Sequence, residues 1–194
     1  VAAAYDDLLV ETRAGWRAWL SEHHQHARGV WVVTWRKGEG PVLSYDDLVE
    51  EALCFGWIDS RGGRREGGRT ALLMTPRRAR SAWSALNKQR VARLASAGLL
   101  HPSGEAVIAA AKESGTWTAL DAVERLEVPE DLEQALAGLP PGRQHWDGFP
   151  RSVRRAILEW VTSAKRPETR ARRVAETARL AQQNLRAHQW PPHG

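Results

Sequence analysis

A single cysteine in 194 residues excludes an internal disulfide. That residue, Cys54, sits in Ala52-Leu53-Cys54-Phe55, where a small buried hydrophobe is expected, whereas a reactive thiolate would want a neighbouring base or a helix N-terminus. No stretch approaches the ~20 apolar residues of a membrane span, and the opening Val1-Ala2-Ala3-Ala4-Tyr5-Asp6-Asp7 is acidic where a secretory signal would be basic. A soluble cytoplasmic protein is the expectation. A Gly-x-Ser-x-Gly elbow, a phosphate-cradling Gly-Lys-Ser/Thr loop and internal repeats are also missing. His23, His24 and His26 stand close together, but no pair is spaced i, i+4 and no cysteine or paired carboxylate completes a ligand set. Neither a metal nor a cofactor is expected.

What the chain does have is charge in blocks. Residues 1–60 carry a net −5, residues 61–93 a net +9, residues 94–142 a net −6 and residues 143–194 a net +7, for +5 in all. Such blocks either pair with one another across the fold or converge as two basic faces on an anionic partner.

Periodicity gives an α+β chain. Thr12 caps a helix with Trp16, Trp19 and Leu20 on one face, and Val30 to Arg36 is β-branched and aromatic with Trp31, Val33 and Trp35 on one side. Ser44 and Asp47 form a variant capping box for a helix over Tyr45–Phe55, which Gly56 stops. Trp57 to Arg61 and Arg69 to Thr75 flank a connection holding Gly62, Gly63, Gly67 and Gly68, which reads as a hairpin. The result is a small antiparallel sheet of about three strands packed with helices, followed by a mostly helical C-terminal part. Ser81 or Ser84 caps a helix to about Ala97, another spans Ser103–Ser114, and Pro129 opens one to Ala137. After the Leu139-Pro140-Pro141-Gly142 breaker come helices over Pro150–Ala164 and Pro167 to about Ala187. Four regions follow: an α+β domain over 1–100, a helical connector over 101–142, a basic helical hairpin over 143–188 and a loosely ordered tail over 189–194.

The stretch Glu51 to Lys88 concentrates Trp, Arg and short polar residues. With Trp16-x-x-Trp-Leu20, the Val30–Lys37 strand, Glu51 to Asp59, Thr75-Pro-Arg-Arg78, Ser81-x-Trp-Ser84 with Asn87, and Ala164 to Arg173, the chain resembles the YdeI/OmpD-associated family, also called bacteriocin-protection proteins, over about residues 12–182. It departs in its glycine-rich hairpin and in Pro140 to Trp146. The resemblance implies a part in porin regulation or in tolerance of bacteriocins and cationic antimicrobial peptides, with no established catalytic residues.

Within that stretch, alternation puts Trp57 and Asp59 on one face, and Arg61, Arg77 and Arg78 are the guanidinium partners that could satisfy the acid and stack on indole. Either this is a structural Asp-Arg pair, or Arg77 or Arg78 binds an anion that Asp59 orients. Ser81, Trp83, Ser84 and Asn87 begin a helix whose free N–H groups favour an anion, although simple capping explains the serines equally well. Trp57 and Trp83 could wall a planar ligand or fill a half-buried sheet.

The leading expectation is a protein of stress or antimicrobial tolerance that binds an anionic or aromatic small molecule or peptide at this cluster. The alternatives are a small-molecule enzyme of natural-product metabolism with Asp59 as catalytic acid or base, and nucleic-acid binding through the basic blocks 61–93 and 151–173, the latter with Arg154 and Arg172.

Overall fold

The computed structural model describes residues 5–188 apart from Lys37 and Val42, and the 189–194 tail lies outside them. Two compact units divide between Ala119 and Leu120.

The first unit opens with β1 (Asp7–Leu9) and α1 (Arg13–His23), the latter capped by Thr12, whose hydroxyl accepts from the Gly15 N–H at 3.0 Å. β2 (Val30–Trp35) leads to α2 (Tyr45–Cys54), whose start is the Ser44/Asp47 capping box. β3 (Trp57–Arg65) and β4 (Arg69–Pro76) form the hairpin, and α3 (Ala85–Ser96) and α4 (Pro102–Glu113) follow.

The class is α+β, with a larger and mixed sheet: four strands in the order β1-β2-β4-β3 in place of about three antiparallel ones. β1 runs parallel to β2, while β4 is antiparallel to both β2 and β3. Three residues are too few for alternation to register in a sequence, and the acidic start masked them.

One sheet face carries Val30, Val32, Met74 and Trp57 into a core with Trp16 and Leu20 of α1 and Leu48, Ala52 and Leu53 of α2. Cys54 belongs to this core, and burial pushes its thiol up. Gly104 lets α4 approach α2 closely, since a Cβ there would stand 2.1 Å from the Cys54 carbonyl oxygen.

The second unit is helical: α5 (Asp121–Glu124), α6 (Glu130–Ala137), α7 (Gly142–Gly148), α8 (Arg151–Thr162) and α9 (Pro167–Gln182). Leu132, Leu136, Trp146, Ile157, Leu158, Val161, Ala178 and Ala181 fill its core. α9 stops short of the expected Ala187.

Opposite charge blocks pair inside each unit. In the first, Arg65 binds Asp7, Arg90 binds Asp46 and Arg93 binds Glu50. In the second, Arg143 binds Glu133, Arg155 binds Glu124 at 2.8 Å and Arg170 binds Asp131 at 2.7 Å. Three arginines of the basic hairpin are therefore met by the acidic segment before it.

Candidate functional site

The Thr75-Pro76-Arg77-Arg78 turn sends neighbouring residues to different places. Pro76 has no N–H to extend the ladder, and the Arg77 N–H donates to the Gly56 carbonyl at 2.9 Å, tying the turn to the end of α2. The Arg77 guanidinium lies over the Trp83 ring and donates to the Ala82 carbonyl. Burial lowers its pKa to about 10, against the opposing pull of the Asp59 charge. Trp83, only 1% exposed, also packs against Trp117 with ring centroids 4.9 Å apart. Ser84 is the N-cap of α3, accepting from the Asn87 N–H, and the Asn87 side-chain oxygen accepts from Arg90 at 2.8 Å. Trp57 is likewise inside, 1% exposed, with its indole N–H donating to the His24 carbonyl at 3.2 Å and its ring edge-on to Trp19.

Three residues of the sequence-derived set come together at the surface. Asp59, Arg78 and Ser81 line a cleft of about 530 Å³ with Tyr5, Arg28 and Thr75. Asp59 accepts a hydrogen bond from the Tyr45 hydroxyl at 2.9 Å, and among the described residues it forms no ion pair with Arg61, Arg77 or Arg78. Burial, together with that contact, pushes the Tyr45 phenol up to about 12. Arg28 and Arg78 are exposed and have no ion-pair partner among the described residues. Two guanidinium forks beside a serine and a threonine hydroxyl can hold a carboxylate or phosphate.

Arg61 stands apart from this cleft, its guanidinium 5.3 Å from the centre of the Trp31 ring. Tyr5 and Arg28 were missed because no motif marks them; chain pairing brings them in, since β1 and β2 begin side by side. Tyr45 reads from the sequence only as the first residue of a helix, where nothing nearby in the chain marks a partner on β3. No group of three or more His, Cys, Asp or Glu among the described residues could hold a metal ion.

Two family models match the chain. Residues 8–107, just over half of it, match a domain of unknown function, DUF8412. Residues 125–184 match the family described as Bacteriocin-protection, YdeI or OmpD-Associated. The resemblance read from the sequence is thus shown over α6 to α9, where the Ala164 to Arg173 motif lies, while the Trp16, Glu51 to Asp59 and Thr75 to Asn87 motifs fall in the other match. No curated protein and no solved structure matches.

Proposed function

The chain belongs, through its first half, to that family of unknown function, and we propose that it is a cytoplasmic binding protein contributing to bacteriocin-type or stress tolerance. Its ligand is an anionic small molecule or peptide held in the Arg28/Arg78 cleft. The observation that carries this reading is a pair of exposed arginines, without ion-pair partners among the described residues, facing one cleft with Thr75 and Ser81. The tolerance role is supported by the match over residues 125–184. The cytoplasmic site is supported by the lone buried cysteine and by the absence, among the described residues, of a helix long and apolar enough to cross a membrane.

The test is a thermal-shift screen of carboxylated and phosphorylated metabolites and short peptides, followed by calorimetry on hits. Arg78→Ala and Arg28→Ala should each weaken a hit about tenfold or more, as expected for loss of a charge-assisted contact, and should lower survival on bacteriocin challenge. Hits that bind both variants as tightly as the parent would sink the reading. A second reading is turnover of the bound molecule with Asp59 as acid or base, favoured by its place in the cleft beside the Tyr45 phenol. Product formation that Asp59→Asn abolishes while binding persists would distinguish it.

A further inference from the structure

The sheet of the first unit has a second face, opposite the core. Its rows are Asp7 and Leu9 on β1; Trp31, Val33 and Trp35 on β2; Leu73, Ala71 and Arg69 on β4; and Gly63 and Arg65 on β3, as the strand registers and period-two alternation require, while Arg61, in the irregular step between Asp59 and Gly62, joins them through its contact with Trp31. The small or branched middle residues are covered, while arginines and indoles make the surface. Arg61 and Arg65 both lie over the Trp31 ring, at 5.3 and 4.8 Å, and Arg69 lies over Trp35 at 5.1 Å. Gly63 makes room for this, because a Cβ there would press on the Trp31 ring at 3.2 Å. The glycine-rich hairpin thus has a purpose beyond turning the chain. A hollow of about 430 Å³ lies on the same face between Leu9, Val33, Arg65 and Arg69.

The acids here are placed. Asp7 holds Arg65 by two bonds, of 2.5 and 2.7 Å, Glu66 borders the hollow, Glu11 accepts from the Trp35 indole, and the Glu39 carboxylate lies against Gly68 beside Arg69. Arg61 and Arg69 have no acidic partner among the described residues, and the buried Nε of Arg69 has no hydrogen-bond partner.

We propose that this face binds single-stranded nucleic acid, with Arg61 and Arg69 taking phosphates and bases stacking on the guanidinium planes that lie over Trp31 and Trp35. Guanidinium forks match phosphate geometry, and every base offers a flat face to an indole or to an arginine lying on one. An acidic peptide fits less well. Peptides join sheets at unpaired edges through their backbone, and here β2 and β4, which carry most of the surface, are interior strands with both edges already paired. Trp31 and Trp35 are four residues apart on one strand, roughly 13 Å at the rise of a β-strand, a span of a few nucleotides. In the second basic block Arg155 and Arg170 are held by Glu124 and Asp131, and charge reversal at Arg154 and Arg172 tests the rest of it. The face borders the Arg28/Arg78 cleft, which Leu73 also lines, but Arg61, Arg65 and Arg69 are not among that cleft's lining residues, so variants at 61 and 69 test this proposal and variants at 28 and 78 test the other.

The experiment is fluorescence anisotropy of the full chain with labelled oligo-dT and oligo-U at several salt concentrations. Binding should weaken steeply with salt and fall about tenfold or more in Arg61→Glu/Arg69→Glu. Arg154→Glu/Arg172→Glu and Arg78→Ala should leave it unchanged. If the double variant fails to fold by circular dichroism, the single Arg61→Ala and Arg69→Ala variants carry the comparison, each with a smaller loss and a shallower salt slope. Tryptophan quenching on binding should shrink in Trp31→Phe, and the two oligonucleotides separate DNA from RNA preference. No binding at low salt, unchanged affinity in the folded Arg61 and Arg69 variants, or equal competition by polyglutamate would overturn the proposal.

Discussion

The Arg77 guanidinium carbon sits 3.8 Å from the centre of the Trp83 ring, while Arg78, the next residue, lines the solvent cleft. One position along the chain thus separates a half-buried cation from an exposed one. Arg77 keeps its charge at neutral pH even though burial lowers it to about 10, because the ring face and the Ala82 carbonyl replace water. Arg77→Ala should cost about 2–3 kcal/mol of stability by urea unfolding, and Arg77→Lys should recover only part of it, having no planar fork to lie on the indole. Arg78→Ala should stay within about 0.5 kcal/mol. Equal losses at 77 and 78 would contradict the division.

Tyr45 and Asp59 give an alkaline signature. The phenol is pushed up to about 12 by burial and by its bond to Asp59, so the folded chain keeps a proton that the unfolded chain releases near the ordinary value of 10. The stabilisation from this proton is fully present below about pH 10 and is lost as pH rises through about 12. Tyr45 is half exposed, so solvent screening keeps the effect small. Absorbance titration should show one tyrosine ionising late, and Asp59→Asn should bring it back toward 10. A Tyr45 midpoint unchanged by Asp59→Asn would reject the coupling.

The local elements were legible where short-range chemistry decides them. The Ser44/Asp47 box, the Ser84 cap, the hairpin and the breaker at Pro140-Pro141 all rest on residues within a few positions of one another. The site was legible only in part, because burial is a long-range property. Trp57 and Trp83 look alike in sequence whether they wall a ligand or fill a core, and here both fill the core. Asp59 drew the expectation of an arginine because three stand nearby in sequence, whereas the fold offers it Tyr45 from α2. The Trp31 and Trp35 face could be read from alternation, but its arginine cover depends on the β3–β4–β2 register.

Glu51 is a buried acid with side-chain exposure of 4%, accepting from Arg13 at 2.6 Å and from Arg17 at 2.7 Å. Removing it takes one of three acidic partners from Arg13, which keeps Asp47 and Glu50, and leaves Arg17 with the Leu99 carbonyl, so Glu51→Ala should destabilise by about 1–3 kcal/mol. Asp131→Ala breaks an exposed pair with Arg170 and should cost about 1 kcal/mol or less, with a salt dependence that Glu51→Ala lacks. Denaturant midpoints at low and high salt decide it; a salt-sensitive, small loss at Glu51 would mean that water reaches the pair.

Gly104→Ala tests the contact between α2 and α4. The added methyl would meet backbone rather than a movable side chain, at the Cys54 and Leu53 carbonyls. The helices must separate or the Cys54 end must shift, and a loss of about 2 kcal/mol or more is expected despite alanine's better helix propensity. Because His101 donates its backbone N–H to that same Cys54 carbonyl at 3.0 Å, hydrogen exchange at His101 should quicken too. A neutral or stabilising substitution would show that the two backbones can part without cost.

The first unit should fold without the second. The buried residues of its core and the hydrophobics packed against them lie between Leu8 and Trp117. The ion pairs of Arg13, Arg17, Arg65, Arg90 and Arg93 close within it, as do the caps of α1, α2, α3 and α4. A fragment of residues 1–119 has the size at which a single core sustains a domain. It should show helical and sheet dichroism, a tryptophan emission shifted to the blue by the buried Trp16, Trp57 and Trp83, and one cooperative urea transition. If nucleic-acid binding lies on its sheet, the fragment should also retain the oligonucleotide affinity of the whole chain. A fragment with the emission of an unfolded chain and no transition would mean that this core is not self-sufficient.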